Sequence, residues 1–223
     1  MSQRTALLVG ATGLVGGHCL QHLLRSEEYE KVIILVRRPL LMEHAKFEEH
    51  VVNFDKLDQY ASLINANDVF CCLGTTIKVA GSQQEFRKVD FTYTVQTCAI
   101  AVKNGADQLL VVTAVGANAR SRIFYNRVKG ETEEAVSKLP CQAIHFFRPS
   151  LLLGERKEAR MAEWAGITIA KGISLLMAGP LKKYKLIEAK AVARTMVLVA
   201  QETRSGLRVY ESDQIQALYD RAT

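Results

Sequence analysis

The apolar positions fall into short continuous blocks separated by longer amphipathic stretches. Ala6-Leu7-Leu8-Val9, Val32-Ile33-Ile34-Leu35-Val36, Asp68–Leu73, Leu109–Thr113 and Ala143–Phe147 each read as a strand, with a weaker strand near His50–Phe54. Between them apolar residues recur at helical spacing over Leu14–Arg25, Leu57–Ile64, Gln83–Asn104 and Phe124–Lys138. Strands that are apolar along their whole length are buried on both faces, and regular alternation with helices makes them parallel. The pattern predicts a doubly wound, mostly parallel α/β sheet. Beyond Pro149 it becomes irregular: a helix over Met161–Ile169, a short strand over Lys185–Ile187, a helix over Ala191–Gln201 and a last strand over Leu207–Tyr210. This tail is expected to form a small C-terminal lobe over the carboxyl edge of the sheet, where such folds bind ligands. The expected organisation is one domain over residues 1–223, with 150–188 as its substrate or lid segment.

The first turn carries candidate chemistry. Gly10-Ala11-Thr12-Gly13-Leu14-Val15-Gly16 places Gly-x-x-Gly-x-x-Gly between the first strand and the first helix. Gly10 permits the tight turn, Gly13 admits a pyrophosphate to the backbone, and Gly16 lets helix and strand pack closely. The N–H groups at the helix start then face the phosphates. In this context the loop is a Rossmann-type dinucleotide site built on Gly10, Thr12, Gly13, Leu14 and Val15. The second strand ends Leu35-Val36-Arg37-Arg38-Pro39, without the acid that commonly holds the ribose hydroxyls of NAD. Two guanidinium groups suit a 2′-phosphate, so Arg37 and Arg38 favour NADP (as NADPH) over NAD.

Tyr125 and Lys129 stand four apart, on one face of the predicted helix after strand five. A phenol holds its proton too tightly for easy exchange at neutral pH, and a neighbouring ammonium favours the phenolate. The pair is suited to general acid–base work beside a hydride carrier. Gly130 sits inside this helix at a cost of about 1 kcal/mol relative to Ala, which predicts a close approach by another backbone or a ligand.

These residues together resemble the short-chain dehydrogenase/reductase family. Asp68–Thr76, Val115-Gly116-Ala117, Tyr125–Gly130 and Arg148-Pro149-Ser150 resemble its atypical branch that includes the Tat-interacting, oxidoreductase-like proteins. The resemblance implies a Rossmann fold with bound NADPH. It implies that Cys72, Leu73, Gly74, Thr75 and Thr76 form a loop under the adenosine and ribose, with Asp55 near the adenine. It also implies that Arg148, Pro149, Ser150 and Leu151 form the loop beside the nicotinamide. The family usually carries a Ser at the end of strand five to hold the substrate carbonyl; here that position is Thr113 or Ala114. With Thr113 the hydroxyl survives as a third catalytic group beside Tyr125 and Lys129. With Ala114 it is lost, and Ser121 or Asn118 stands in for it.

Composition narrows the classes. The chain has 223 residues, 48% hydrophobic and 23% charged, an ordinary globular balance. A net charge of +6 is too mild to indicate nucleic acid. No apolar run approaches the roughly 18 residues of a membrane helix. Five cysteines, with Cys71 and Cys72 adjacent and no Cys-x-x-Cys, read as reduced thiols. With the polar start Met1–Thr5, which lacks a signal peptide, they point to the cytoplasm. His18 and His22 lack a third ligand for a metal.

The expected function is an NADPH-dependent oxidoreductase acting on a small-molecule carbonyl substrate through Tyr125 and Lys129. The alternative is a non-catalytic NADPH-binding sensor or adaptor that engages a protein partner. An epimerase or dehydratase of a nucleotide-linked sugar is third, because the C-terminal portion leaves little room for a large substrate. The expected assembly is a monomer or a homodimer.

Overall fold

The computed structural model describes residues 4–153, 179–202 and 205–222. The chain runs through β1 (Arg4–Val9), α1 (Leu14–Arg25), β2 (Tyr29–Val36), β3 (Phe47–Val51), 3-10 turns within Phe54–Leu63, and β4 (Asp68–Cys71). It continues through α2 (Ile77–Ala80), α3 (Gln83–Arg87), a π-helical segment (Lys88–Tyr93), α4 (Thr94–Lys103), β5 (Gln108–Val112), α5 (Phe124–Val136) and β6 (Ala143–Arg148). β7 (Leu152–Leu153), a 3-10 turn (Gly179–Tyr184), β8 (Ile187–Glu188), α6 (Ala189–Gln201), β9 (Gly206–Glu211) and α7 (Ser212–Arg221) complete it.

Seven strands form one sheet in the order β3-β2-β1-β4-β5-β6-β9, with every pairing parallel. From β1 the chain steps outward to β3, returns to β4, and steps outward the other way. The direction reverses between β1 and β4, and that reversal leaves a crevice beyond their carboxyl ends.

The apolar runs are explained by two cores. Along β1, Ala6 and Leu8 face a cluster with Leu20 and Leu23 of α1 and Val192 and Met196 of α6. Leu7 and Val9 face the opposite cluster, with Cys98 and Ala101 of α4 and Val136 of α5. These four side chains of the six in β1 are fully buried. Each fully buried leucine contributes about 1.5–3 kcal/mol over an exposed one.

The structure departs from the sequence pattern in several places. The helix expected over Gln83–Asn104 is broken into α3, the π segment and α4. The wider turn is bridged by hydroxyls: Thr132 donates to the Asp90 carbonyl at 3.1 Å and Thr97 to that of Tyr93 at 2.7 Å. The third strand lies at Phe47–Val51, a half-exposed edge strand, ahead of its expected place. The Leu57–Ile64 region is 3-10. The tail contributes β9 to the main sheet beside β6, and α6 packs on α1. A two-residue ladder, β7 with β8, follows β6. The expected helix over Met161–Ile169, Trp164 and most of the 150–188 segment lie outside the described residues. Among the described residues no helix is long and apolar enough to cross a membrane.

Candidate functional site

The glycine loop turns from β1 into α1 beside the crevice. Gly10 has φ +85°, and a Cβ there would stand 2.4 Å from the Cys72 carbonyl oxygen. A Cβ on Gly16 would stand 2.1 Å from the Gly10 carbonyl oxygen. Neither position admits a side chain, so the turn and the helix–strand approach both need glycine. Gly13 is the N-cap of α1 and makes no side-chain cap, and no acid occupies the first turn. The N–H groups of Leu14 and Val15 therefore begin a helix without a carboxylate competing for them, which is an anion-binding arrangement. Thr12 and Gly13 are exposed at its mouth.

Cys72 opens the loop after β4, and this loop joins the two predicted pieces of chemistry. A Cβ on Gly74 would stand 3.7 Å from Asp90 Oδ1 and 3.8 Å from Lys129 Nζ. Thr75 donates its N–H to Asp90 Oδ2 at 3.0 Å, and Thr76 caps α2 by accepting from the Val79 N–H. Lys129, on α5, is 4% exposed and lies 2.7 Å from Asp90 Oδ1. Burial pulls the Lys129 ammonium down, but the charges of Asp90 and then Tyr125 outweigh it and hold the group above the ordinary lysine range. Tyr125, one turn earlier, is half-buried with its ring against Phe86, centroids 5.5 Å apart. A Cβ on Gly130 would stand 2.1 Å from the Ala119 nitrogen. The close backbone approach expected at Gly130 is thus the loop after β5, which is also tied to α5 by the Asn118 N–H bonded to the Asn126 carbonyl.

Thr113 gives its hydroxyl proton to a carboxylate outside the pair. It is buried, and its hydroxyl donates to Glu133 Oε1 at 2.6 Å. Its neighbour Ala114, also buried, has no hydroxyl to offer. Ser121 sits just ahead of α5; its oxygen accepts the Ile123 N–H at 3.1 Å, and its proton has no acceptor among the described residues. Asn118 Oδ1 is taken by the Arg120 N–H.

The loop after β6 differs from its expected use. The Arg148 guanidinium grips Glu133 through Nε and Nη2 and reaches Glu211 at 3.1 Å through Nη1. It is held as a cation by Glu133, against burial, and is committed within the fold. Ser150 donates to the Lys185 carbonyl and accepts from Ser212, and the Pro149 carbonyl accepts the Val115 N–H. The Leu151 side chain is exposed here.

Arg37 and Arg38 are exposed beyond the carboxyl end of β2, with no carboxylate partner among the described residues. Asp55 accepts from the Tyr93 hydroxyl at 2.6 Å and pairs with Lys88 at 2.7 Å. The Lys88 contact first, and Tyr93 second, hold its carboxyl below the usual range. A separate cavity of about 310 Å³, lined by Thr5, Lys31, Glu48, Asn67 and Gly105 among others, opens at the amino ends of the strands, opposite this site. Asp90 escaped the sequence reading. Its signal was a carboxylate four residues after Phe86 and four before Thr94, on the face that a continuous helix would bury.

A family model described as NAD(P)H-binding matches residues 10–138. Protein HTATIP2 of Rattus norvegicus is 35% identical over 168 residues, 74% of this chain and 69% of that protein. The mitochondrial protein FMP52 of Eremothecium gossypii is 31% identical over 221 residues, 96% of each chain. Among solved structures, MoeE5 in complex with UDP-glucose and NAD superimposes with a TM-score of 0.70 at 14% identity, covering 98% of this chain and 82% of that one. That likeness is one of fold. The expected cytoplasmic location is corrected by the relatives' names, since FMP52 of Candida glabrata, Saccharomyces cerevisiae and Candida albicans is likewise named mitochondrial. Reduced thiols did not discriminate: Cys19, Cys71 and Cys98 are buried, and burial keeps a thiol inert in either compartment.

Proposed function

The chain belongs to the NAD(P)H-binding family, and on that footing we propose that it is an NADPH-dependent reductase of small carbonyl compounds, of the short-chain dehydrogenase type. One observation carries this reading. The glycine loop touches the β4 loop at Cys72, and the same β4 loop covers Lys129 at Gly74, so the phosphate cradle and the Tyr125–Lys129 helix share one wall.

The residues present fit a dinucleotide. The side-chain-free turn at Gly10, Gly13 and Gly16 and the uncapped start of α1 suit a pyrophosphate held by Thr12, Leu14 and Val15. Leu73, Gly74, Thr75, Thr76 and Asp55 would line the adenosine side, Arg37 and Arg38 a 2′-phosphate, and Pro149, Ser150 and Leu151 the nicotinamide side. Bound nicotinamide supplies the hydride. Tyr125 gives its phenolic proton to the carbonyl oxygen as charge develops there, a contribution of about a hundredfold to ten-thousandfold in rate. Lys129 keeps a positive charge beside the phenol and would hold the ribose of a bound cofactor. Ser121, with its spare proton, orients the carbonyl in place of Thr113.

The second reading, an NADPH-binding adaptor without turnover, is favoured by one observation: the Thr113 hydroxyl is spent on Glu133 and Ala114 offers none. The experiment that separates the two follows NADPH oxidation over a broad panel of aldehydes and ketones, with NADPH affinity titrated in parallel. Turnover of any panel member establishes the reductase. Tight NADPH binding with no turnover across the panel establishes the adaptor.

A further inference from the structure

We propose that the groove between the edge strand β9 and helix α7 is a docking site for an extended acidic peptide, which adds to the sheet beside β9 and sets its carboxylates against Arg208 and Arg221. The groove shares no residue with the dinucleotide site, and the proposal does not depend on that reading.

β9 ends the seven-stranded sheet. One side of it pairs with β6 in register from Gly206 to Glu211, and no strand pairs with the other side among the described residues. Its first three residues are exposed, Leu207 by 52%. A strand edge in that state carries unpaired N–H and C=O groups that an added strand satisfies. Its six residues, at about 3.3 Å each, give about 20 Å of edge.

The facing wall is α7. Gln214, Ala217, Leu218 and Arg221 stand at i, i+3, i+4 and i+7 and form one stripe of that helix. With Arg208, Val209 and Tyr210 of β9 they line a groove of about 410 Å³. Side chains alternate along a strand, so Arg208 shares the face of Tyr210. On that face Tyr210 packs in one cluster with Ile215 and Leu218, which fixes the helix beside the strand.

The chemistry of the lining selects the occupant. Its exposed polar side chains are all donors. Gln214 gives its side-chain oxygen to the Glu211 N–H at 2.9 Å, and its NH2 has no acceptor among the described residues. Arg208 and Arg221 are exposed and have no carboxylate partner among the described residues. No acidic side chain is among those that line the groove. Two guanidiniums and an amide favour a ligand that brings acceptors, and a carboxylate matches a guanidinium with two parallel hydrogen bonds. Val209, Ala217 and Leu218 offer apolar contact to the alternate side chains of the added strand. A second copy of this chain fits less well. Pairing β9 with β9 would bring both copies of Arg208 and Arg221 to one seam, like charge against like.

The test uses the whole protein and an array of octapeptides. Alternate positions are Glu, Gln or Lys, and the others sample Val, Ile, Leu, Phe and Tyr. Binding is followed by fluorescence anisotropy at low and high salt and located by backbone amide NMR shifts. Glu peptides should bind, shift the amides of Gly206–Glu211 and Ser212–Arg221, and weaken several-fold in high salt. Arg208→Gln with Arg221→Gln should weaken them about tenfold, the scale of two exposed ion pairs, and leave the melting temperature unchanged. Gln or Lys peptides that bind as well as Glu peptides overturn the proposal. So does an array in which no Glu peptide binds, or one whose shifts fall away from β9 and α7. Dimerisation of the free protein that covers the β9 amides also overturns it, since the occupant is then a second copy. If the double variant melts early, peptide charge and salt dependence in the wild type decide alone.

Discussion

Thr113 and Glu133 are joined by a 2.6 Å hydrogen bond between the end of β5 and the buried face of α5, and Arg148 grips the same carboxylate from β6. Three elements beneath the site are thereby locked by one acid. The first prediction follows from that bond. Thr113→Val removes a donor to a buried charged group and should cost about 1–3 kcal/mol in urea denaturation. NADPH affinity should not change. Ser121→Ala should do the reverse, leaving stability unchanged and slowing hydride transfer by about a hundredfold, the scale of one lost oxyanion donor. Thr113→Val proteins that keep full stability but lose turnover would return Thr113 to the reacting centre.

Tyr125→Phe deletes the proton and keeps the ring against Phe86. Single-turnover hydride transfer should fall by about a hundredfold to ten-thousandfold, with NADPH affinity near that of the wild type. Lys129→Ala should lower both quantities and also unfold more easily, because it strands Asp90 as a buried unpaired charge, a loss of about 3–5 kcal/mol. Equal rates for Tyr125→Phe and the wild type would remove the phenol from the mechanism.

Cofactor choice is tested at the end of β2. Arg37 and Arg38 are exposed, so replacing both with Ala should leave thermal stability intact. Bidentate contact with a 2′-phosphate contributes about 1.5–3 kcal/mol, so the wild type should prefer NADPH over NADH by roughly tenfold to a hundredfold. The double variant should bind the two alike. A wild type indifferent to the 2′-phosphate would show that these guanidiniums face elsewhere.

Much of this was legible in the chain itself. β1 and β2 announce themselves because both faces of Ala6–Val9 and Val32–Val36 are covered, which leaves no polar residue to blur those runs. β3 reads Phe47-Glu48-Glu49-His50-Val51, half-exposed at the sheet's edge, and its polar residues blurred its bounds, so the expected strand began three residues late. α7 was missed altogether: of its ten residues only Ser212 and Ile215 are buried, so its apolar stripe is too thin to read. At the site, glycines and the Tyr125–Lys129 spacing are local features and survive in one dimension. The use of Thr113 and of Asp90 is decided by partners 20 and 39 residues away, Glu133 and Lys129, and no spacing rule carries that.

Acid should expose a different contact. The Asp55 carboxyl is held below its usual range by Lys88 and then Tyr93, so the unfolded chain takes up that proton first. Its contribution is present above the ordinary aspartate range and is lost as pH falls through the lowered value. Asp55→Asn should therefore flatten the acid limb of a stability curve below about pH 4 and leave the neutral region nearly unchanged. Parallel acid limbs for variant and wild type would mean that the contact has no influence on folding.

The sheet is completed from a distance. Strands β1 to β6 and the helices between them come from residues 4–148, but the strand that covers the outer side of β6 arrives only at Gly206–Glu211. During synthesis, the glycine turn and the Tyr125–Lys129 helix precede β9, and until β9 arrives β6 presents a bare row of amides and carbonyls. Such a row invites pairing with another chain. The nascent protein is thus open to edge pairing until β9 arrives, and a ligand that bound it in that interval would act as a folding aid.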